Sequence, residues 1–225
     1  MNNSVANTAR LLGAGLRALL VLTVLCGVLY PLAVTGAAQA LFHDKANGSE
    51  IKADGRTVGS ELIGQRYDLP LRKGQRTPEP DLRWFQPRPS NGLGENSVNT
   101  QHELLLSGAT NLSGDSKELI AQVKAAKEAV IKDNSTASHK VSPSEVPADA
   151  VTSSGSGLDP HISPSYADLQ VHRVAERNHV SVARVQTLVD DNTEGRTLGF
   201  MGEPRVNVLR LNIALKELTA GDGDS

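Results

Sequence analysis

Between Ala18 and Leu41 the chain runs for 24 residues without a single charged side chain. As a helix that run is about 36 Å long at 1.5 Å per residue, and the hydrocarbon core of a bilayer is about 30 Å thick. The run predicts a membrane-spanning helix over 18–41. Arg10 and Arg17 precede it, and no Asp or Glu occurs before Asp44. Positive flanks stay on the cytoplasmic side. Residues 1–17 are therefore expected in the cytoplasm, with everything after Leu41 outside it, in the periplasm of a bacterium with two membranes. A cleaved signal peptide is the competing reading. Arg17 would end its basic region, Ala18–Leu29 would be its apolar core, and Ala38-Gln39-Ala40 would be its cleavage site. The uncharged run is longer than such a core needs, which favours an uncleaved, single-pass anchor. The topology is the same in both cases.

The rest of the chain is polar and mixed, with no second spanning segment. Net charge is -2 and aromatic residues make up 3%. A nucleic-acid binder needs a basic stripe interleaved with stacking rings, so that class is set aside. Cys26 is the single cysteine, which excludes an intrachain disulfide and any CxxC metal or redox site.

Residues 42–219 read as one α+β domain, because hairpin and helix signals mix without regular βαβ alternation. Asp54-Gly55 between two alternating segments signals a hairpin. Arg83–Ser90, broken by Pro87 and Pro89, reads as an extended segment leaving a sheet edge, and 91–101 as a loop. A surface helix capped by Ser116 turns Leu119, Val123, Ala126 and Val130 inward. The Ser/Pro-rich stretch 132–150 is expected to be an exposed linker within the domain. A helix capped by Ser163, with Pro164 at its first position, turns Ala167, Val171 and Val174 inward. The next starts at Ser181 and buries Val182, Val185, Leu188 and Val189. A strand over Arg205–Leu209 precedes a closing helix capped by Asn212, and 220–225 is expected to be a disordered tail.

The densest chemistry-like stretch is Val151–Pro164, with four serines, two glycines, Asp159 and His161. It is no P-loop: the glycines do not abut the helix, and no lysine lies between Lys140 and Lys216. Ser156 lacks the G-x-S-x-G spacing, and Ser156, Asp159 and His161 would crowd three catalytic roles into six residues, where triads draw on separated segments. A shaped turn is the simpler reading: Val151 ends a strand, the glycines permit tight turning, and Asp159 and Ser163 bond local backbone N–H groups. No histidine pair shows ligand spacing, so no metal site is expected. In the second dense patch, glycines and Pro204 shape a loop carrying Arg196, Glu203 and Arg205, charges that either lock on a partner or solvate the loop.

Seven stretches occur together in one order: YPLAVTG at 30–36, GSELIGQ at 59–65, WFQPRPS at 84–90, SGATNL at 107–112, VTSSGSGLDPHISP at 151–164, QVHRVA at 170–175 and TEGRTLGFMGEPRVNVLRLNIAL at 193–215. In this the chain resembles the C subunit family of the bacterial Kdp potassium-transporting P-type ATPase. The resemblance implies an inner-membrane complex that imports potassium, with a channel-like potassium-binding subunit, a P-type ATPase subunit and a small membrane peptide as partners. It implies an accessory subunit that stabilises the assembly and acts as a catalytic chaperone raising the ATP affinity of the pumping subunit. ATP and potassium belong to the complex, and no catalytic residue, metal or bound cofactor is assigned to this chain. The residues agree on that division: the chain has no D-K-T-G stretch to phosphorylate and no T-V-G-Y-G-like filter, and a single helix cannot enclose an ion path. The resemblance marks Ser153, Ser154, Gly155, Ser156 and Gly157, with Asp159 and His161, as a nucleotide-associated or partner-contact loop. Topology puts that loop across the membrane from cytoplasmic ATP and favours an indirect role. Trp84, Arg88, Asn111, Arg196, Glu203 and Arg205 are candidate partner contacts. The alternatives are a periplasmic gate or lid over the channel subunit's potassium entry, a membrane-anchored periplasmic enzyme, and a solute-binding domain, for which so few aromatics are a poor fit.

Overall fold

The uncharged run is helical, and the helix extends further toward the N-terminus than the run. A computed structural model describes residues 2–75, 78–90 and 107–221. The expected loop at 91–101 and the tail at 222–225 lie outside the described residues. The chain divides into two units, Met1–Ser49 and Glu50–Ser225. In the first, α1 (Asn2–Val24) passes through a π-helical turn at Leu25–Leu29 into α2 (Tyr30–Leu41), and a short α3 (His43–Ala46) follows. Ser4–Leu41 is the one helix among the described residues long and apolar enough to cross a membrane, and none of its apolar window is buried by the chain itself. Pro31 does not break the helix. Its ring would clash with the carbonyl four residues back in an α-helix, and the widened turn immediately before it accommodates the ring.

The second unit starts with the expected hairpin, β1 (Glu50–Ala53) against β2 (Arg56–Ser60). Asp54 and Gly55 both adopt positive φ, 51° and 74°, as a type I′ turn requires. A second sheet carries β3 (His161–Ile162) and β4 (Thr193–Glu194) on either side of β5 (Arg205–Asn207), all antiparallel. Around it pack α4 (Lys117–Asn134), α5 (Pro164–Asn178), α6 (Val182–Asp191) and α7 (Val208–Gly221). The mixture is α+β. Ser116, Ser163 and Ser181 cap α4, α5 and α6, each side chain accepting a backbone N–H of the first turn. The core joins Ala167, Val171 and Val174 of α5 to Val185 and Val189 of α6, Val206 of β5, and Leu211 and Leu215 of α7.

Several expectations need correction. Val182 is exposed, and Leu188 is only partly buried; the ten-residue α6 buries a narrower stripe than its valines suggested. The 132–150 stretch is not an exposed linker: α4 runs through Asn134, and Thr136, Val141 and Ala150 are buried, because single apolar residues anchor an aperiodic segment without leaving a pattern. Val151 ends no strand; it follows a single 3-10 turn at Ala148–Ala150. Strand β5 stops at Asn207, whose Oδ1 accepts the Arg210 N–H at 3.1 Å, so Asn207 and not Asn212 caps α7. Ala220 and Gly221 belong to α7 rather than to a tail.

Asn212 is instead deep in the core. Its Oδ1 accepts the Phe85 N–H and its Nδ2 donates to the Phe85 carbonyl, both at 2.9 Å. Gln170 does the same one residue on, accepting Gln86 N–H at 2.7 Å and donating to Gln86 O at 3.1 Å. The segment expected at a sheet edge is thus extended but is in no sheet. Two carboxamides on helices supply the ladder that a neighbouring strand would. Arg173, 2% exposed, completes the arrangement. Its Nη1 donates to Leu82 O and, at 3.0 Å, to Trp84 O; its Nε meets Asn134 Oδ1 at 2.8 Å and its Nη2 meets Gln170 Oε1 at 2.6 Å. Burial pulls its pKa down to about 10, which leaves it charged at neutral pH.

Removing one member of such a network strands the others in the interior. Arg173→Ala is expected to destabilise the fold by about 3–5 kcal/mol, and Asn212→Leu by about 2–4 kcal/mol because the Phe85 peptide loses both partners. Urea unfolding of the full chain measures both. A loss below about 1 kcal/mol for Arg173→Ala, the size of an ordinary surface substitution, would contradict this reading.

Candidate functional site

The Val151–Pro164 stretch is built from turns that close on themselves and on a neighbouring segment. Gly157 N–H donates to Ser154 O at 3.2 Å, and Ser156 Oγ accepts Leu158 N–H at 3.1 Å. Ser154 Oγ accepts the Asp159 N–H at 3.4 Å. The Ser156 carbonyl accepts Gly108 N–H at 2.8 Å and Ser107 Oγ at 3.2 Å, and Ser90 Oγ donates to the Gly157 carbonyl. Gly157 is required here on two counts. Its φ is 69°, and a Cβ would lie 2.9 Å from Gly108 O. Gly155 faces open space.

Arg88 fastens the two ends of the loop together. Its Nη1 pairs with Asp159 Oδ2 at 3.1 Å, while Nε and Nη2 reach Thr152 O and Ser153 O, both at 3.4 Å. The other oxygen of Asp159 accepts His161 N–H at 3.0 Å and lies 3.4 Å from His161 Nδ1. Burial pushes the Asp159 carboxyl up, but the His161 hydrogen bonds and the Arg88 charge outweigh it and hold the group below the usual carboxylate range. Asp149 supports the far end, accepting Ser163 N–H at 2.7 Å and Ser163 Oγ–H at 2.9 Å at the start of α5. This matches the expectation that Asp159 and Ser163 serve local backbone groups.

On one side of the loop lies a surface concavity of about 570 Å³, and Arg88, Asp159, His161, Glu203 and Arg205 line it. Five residues singled out in three separate stretches of sequence are therefore neighbours. Arg205 is partly committed, pairing with Glu194 at 3.0 Å. Asn111 and Arg196 are exposed and do not line the concavity. Trp84 is partly buried against the core, its ring 6.0 Å from that of Tyr67, and it does not line the concavity. On the other side, Ser153 and Gly157 line a groove of about 450 Å³ with the Leu119, Val123 and Ala126 face of α4. Among the described residues lining that groove there is no Lys or Arg to meet a phosphate. Ser156 Oγ engages the Leu158 N–H and lies 3.4 Å from Ser154 Oγ, while His161 faces Asp159. The arrangement is that of a braced turn. Among the described residues no group of three or more His, Cys, Asp or Glu is placed to hold a metal ion.

Sequence spacing missed one pair. His139, in the connector, stacks on His172 of α5 with ring centroids 4.0 Å apart and planes within 4°. Thr136 holds that turn, its N–H donating to His139 O at 2.7 Å and its Oγ1 accepting His139 N–H at 3.1 Å. Burial pulls the His172 pKa below 6.5, and the His139 charge lowers it further.

Two predictions follow from this geometry. Gly157→Ala should cost about 1–3 kcal/mol, with Gly155→Ala near neutral; thermal melts that fail to separate the two would contradict the bracing. At His172, the unfolded chain binds more protons than the folded one below the ordinary value of 6.5. Its contribution to stability is complete above that pH and is lost as pH falls from there toward the depressed folded value. The urea midpoint should fall between about pH 7.5 and about pH 5, and less so in His172→Gln. An unchanged pH dependence in the variant would contradict it.

Residues 12–217 match the family described as KdpC: K+-transporting ATPase, c chain. A potassium-transporting ATPase KdpC subunit of Streptomyces avermitilis is 78% identical over 220 residues, covering 98% of this chain and 99% of the relative. The protein of the same name from Streptomyces coelicolor is 69% identical over 220 residues, 98% of each chain. That of Caldanaerobacter subterraneus is 46% identical over 198 residues, 88% of this chain and 90% of the relative. With the braced loop, the α+β unit and the apolar helix, these matches place the chain in the KdpC family, the c-chain subunits of the potassium-transporting ATPase.

Proposed function

We propose that this chain is a non-pore, non-phosphorylated accessory subunit of a high-affinity, ATP-driven potassium uptake complex. It is anchored by one spanning helix, with its amino end in the cytoplasm and its folded unit outside the cell's inner membrane. The observation that carries the reading is a hairpin aimed at solvent. Thr197 and Met201 exchange backbone bonds of 2.9 and 3.0 Å, and Leu198 and Gly199 turn the chain with φ of 54° and 81°. The tip presents Leu198, Phe200 and Met201 at 79%, 71% and 50% exposure. Three adjacent apolar side chains on a pre-formed turn lose little entropy on docking, and burying them on a companion subunit releases the water they order.

The channel-like subunit is the proposed seat for this tip, with the ATPase subunit and a small membrane peptide completing the assembly. The chain would raise the pump's ATP affinity as a catalytic chaperone, indirectly, by favouring one conformation of the assembly. Direct contact between Ser153–Gly157 and ATP has less support: the Ser154 and Ser156 hydroxyls and the Ser153, Ser156 and Gly157 carbonyls serve the loop's own shape and its ties to 88–90 and 107–108, and no Lys or Arg lines the groove beside it among the described residues. A lid over the potassium entry uses the same docked position and differs only in what docking does.

One labelling experiment tests side and docking together. A chain carrying Met201→Cys and Cys26→Ser is treated on intact cells with a membrane-impermeant maleimide. It should label from outside, and about tenfold more slowly in the assembled complex than alone, as a buried contact requires. Labelling only after permeabilisation would contradict the topology, and equal rates would contradict the docking.

A further inference from the structure

The π turn inside the spanning helix leaves backbone carbonyls without donors. The Tyr30 N–H donates to Leu25 O, five residues back. Leu29 is the N-cap of α2, so its carbonyl takes the first α-type bond, from Ala33. Between those two bonds lie the carbonyls of Cys26, Gly27 and Val28. The only backbone positions between Tyr30 and Ala33 are Pro31, which has no N–H, and Leu32. One amide faces three carbonyls, so two lack an intrahelical donor of their own. One is freed by the change from π to α register and the other by the proline.

These groups sit near the middle of the uncharged 18–41 run, where lipid tails supply no donor and an unsatisfied carbonyl is costly. Access to them is open. A Cβ on Gly27 would meet only Thr23 Cγ2, at 3.9 Å. A neighbouring backbone or side chain can therefore approach this turn closely, as small residues permit between membrane helices. Irregular backbone at this depth is tolerated where protein covers it.

We infer that the Leu25–Leu29 turn is a docking site for a companion transmembrane helix that places a hydrogen-bond donor, a hydroxyl, carboxamide or indole N–H, on the freed carbonyls of Cys26–Val28. The inference rests on the spanning reading of this helix. It makes Pro31 a recognition element: by withholding its amide it leaves an acceptor for the partner. Plain packing against a smooth helix would need neither the proline nor the widened turn.

The test compares three full-length variants expressed with the companion subunits. Gly27→Val blocks approach to the turn, Pro31→Ala returns the missing amide, and Gly36→Val adds the same bulk at a position where a Cβ meets nothing. Recovery of the chain with the solubilised complex should fall about three- to tenfold for Gly27→Val and Pro31→Ala, the size of an interhelical hydrogen bond and its packing, and stay near wild type for Gly36→Val. Pro31→Ala is the decisive arm, since it strengthens the helix and yet should weaken association. Full recovery of Pro31→Ala overturns the inference whatever Gly27→Val does, and an equal loss for Gly36→Val overturns its placement at the turn. Carbonate extraction of wild-type membranes separates the two levels: release of the chain refutes the spanning reading itself, whereas retention with unimpaired assembly refutes only the docking site.

Discussion

A fully buried guanidinium holds this fold's irregular half in place. Arg173 spends its donors on two backbone carbonyls of the 82–84 stretch and on the carboxamides of Asn134 and Gln170. Moving a charge into an apolar interior is costly unless its donors are used, and here four of the five N–H groups meet neutral dipoles drawn from α4, the 82–84 stretch and α5 itself. The consequence is geometric. Helix α4, helix α5 and the 82–86 segment must meet at one point, and Gln170 and Asn212 then fix the next two peptides of that segment. A β-sheet would do this with a neighbouring strand. This chain does it with three polar side chains on helices.

That constraint reaches the candidate site through the chain. Phe85 and Gln86 are pinned, prolines stiffen the next positions, and Arg88 emerges with its head on Asp159 and on the carbonyls of Thr152 and Ser153. The serine–glycine loop is therefore braced from outside as well as by its own turns. Its charges and hydroxyls hold shape. A concavity lies beside it, and the hairpin at 197–201 exposes apolar side chains that another molecule can cover. On the proposed reading, such a subunit would contribute surface and rigidity to the assembly.

Much of this was legible in the sequence, for identifiable reasons. The long apolar helix, the Asp54-Gly55 hairpin, the three serine caps and the inner stripe of α5 each follow from local rules in which neighbours along the chain decide the outcome. What was not legible is long-range and polar. Asn212 looked like a cap because asparagine usually is one outside a core, yet it lies 127 positions from the peptide it serves. Gln170 and Arg173 share a helix face with Ala167, Val171 and Val174, and that placement on an apolar stripe was the one available sign that they were buried. The 132–150 stretch misled in the opposite direction, its polar composition hiding Val141 and Ala150 in the core. His139 and His172 are 33 positions apart with no spacing rule to join them. For the site, the candidates Arg88, Asp159, His161, Glu203 and Arg205 converge, whereas Trp84 is half-buried against the core, and a lone tryptophan reads equally well as an anchor for a partner or for a core.

On the proposed reading, this chain supplies shape and a membrane anchor, and ATP and potassium belong to its companions. The most direct measurement is potassium-stimulated ATP hydrolysis in reconstituted membranes, for the companion subunits alone, for this chain alone, and for the two together. The account predicts that this chain alone hydrolyses nothing, and that adding it to the companions lowers the ATP concentration needed for half-maximal activity. Hydrolysis by the isolated chain, or an ATP dependence that its addition leaves unchanged, would contradict it.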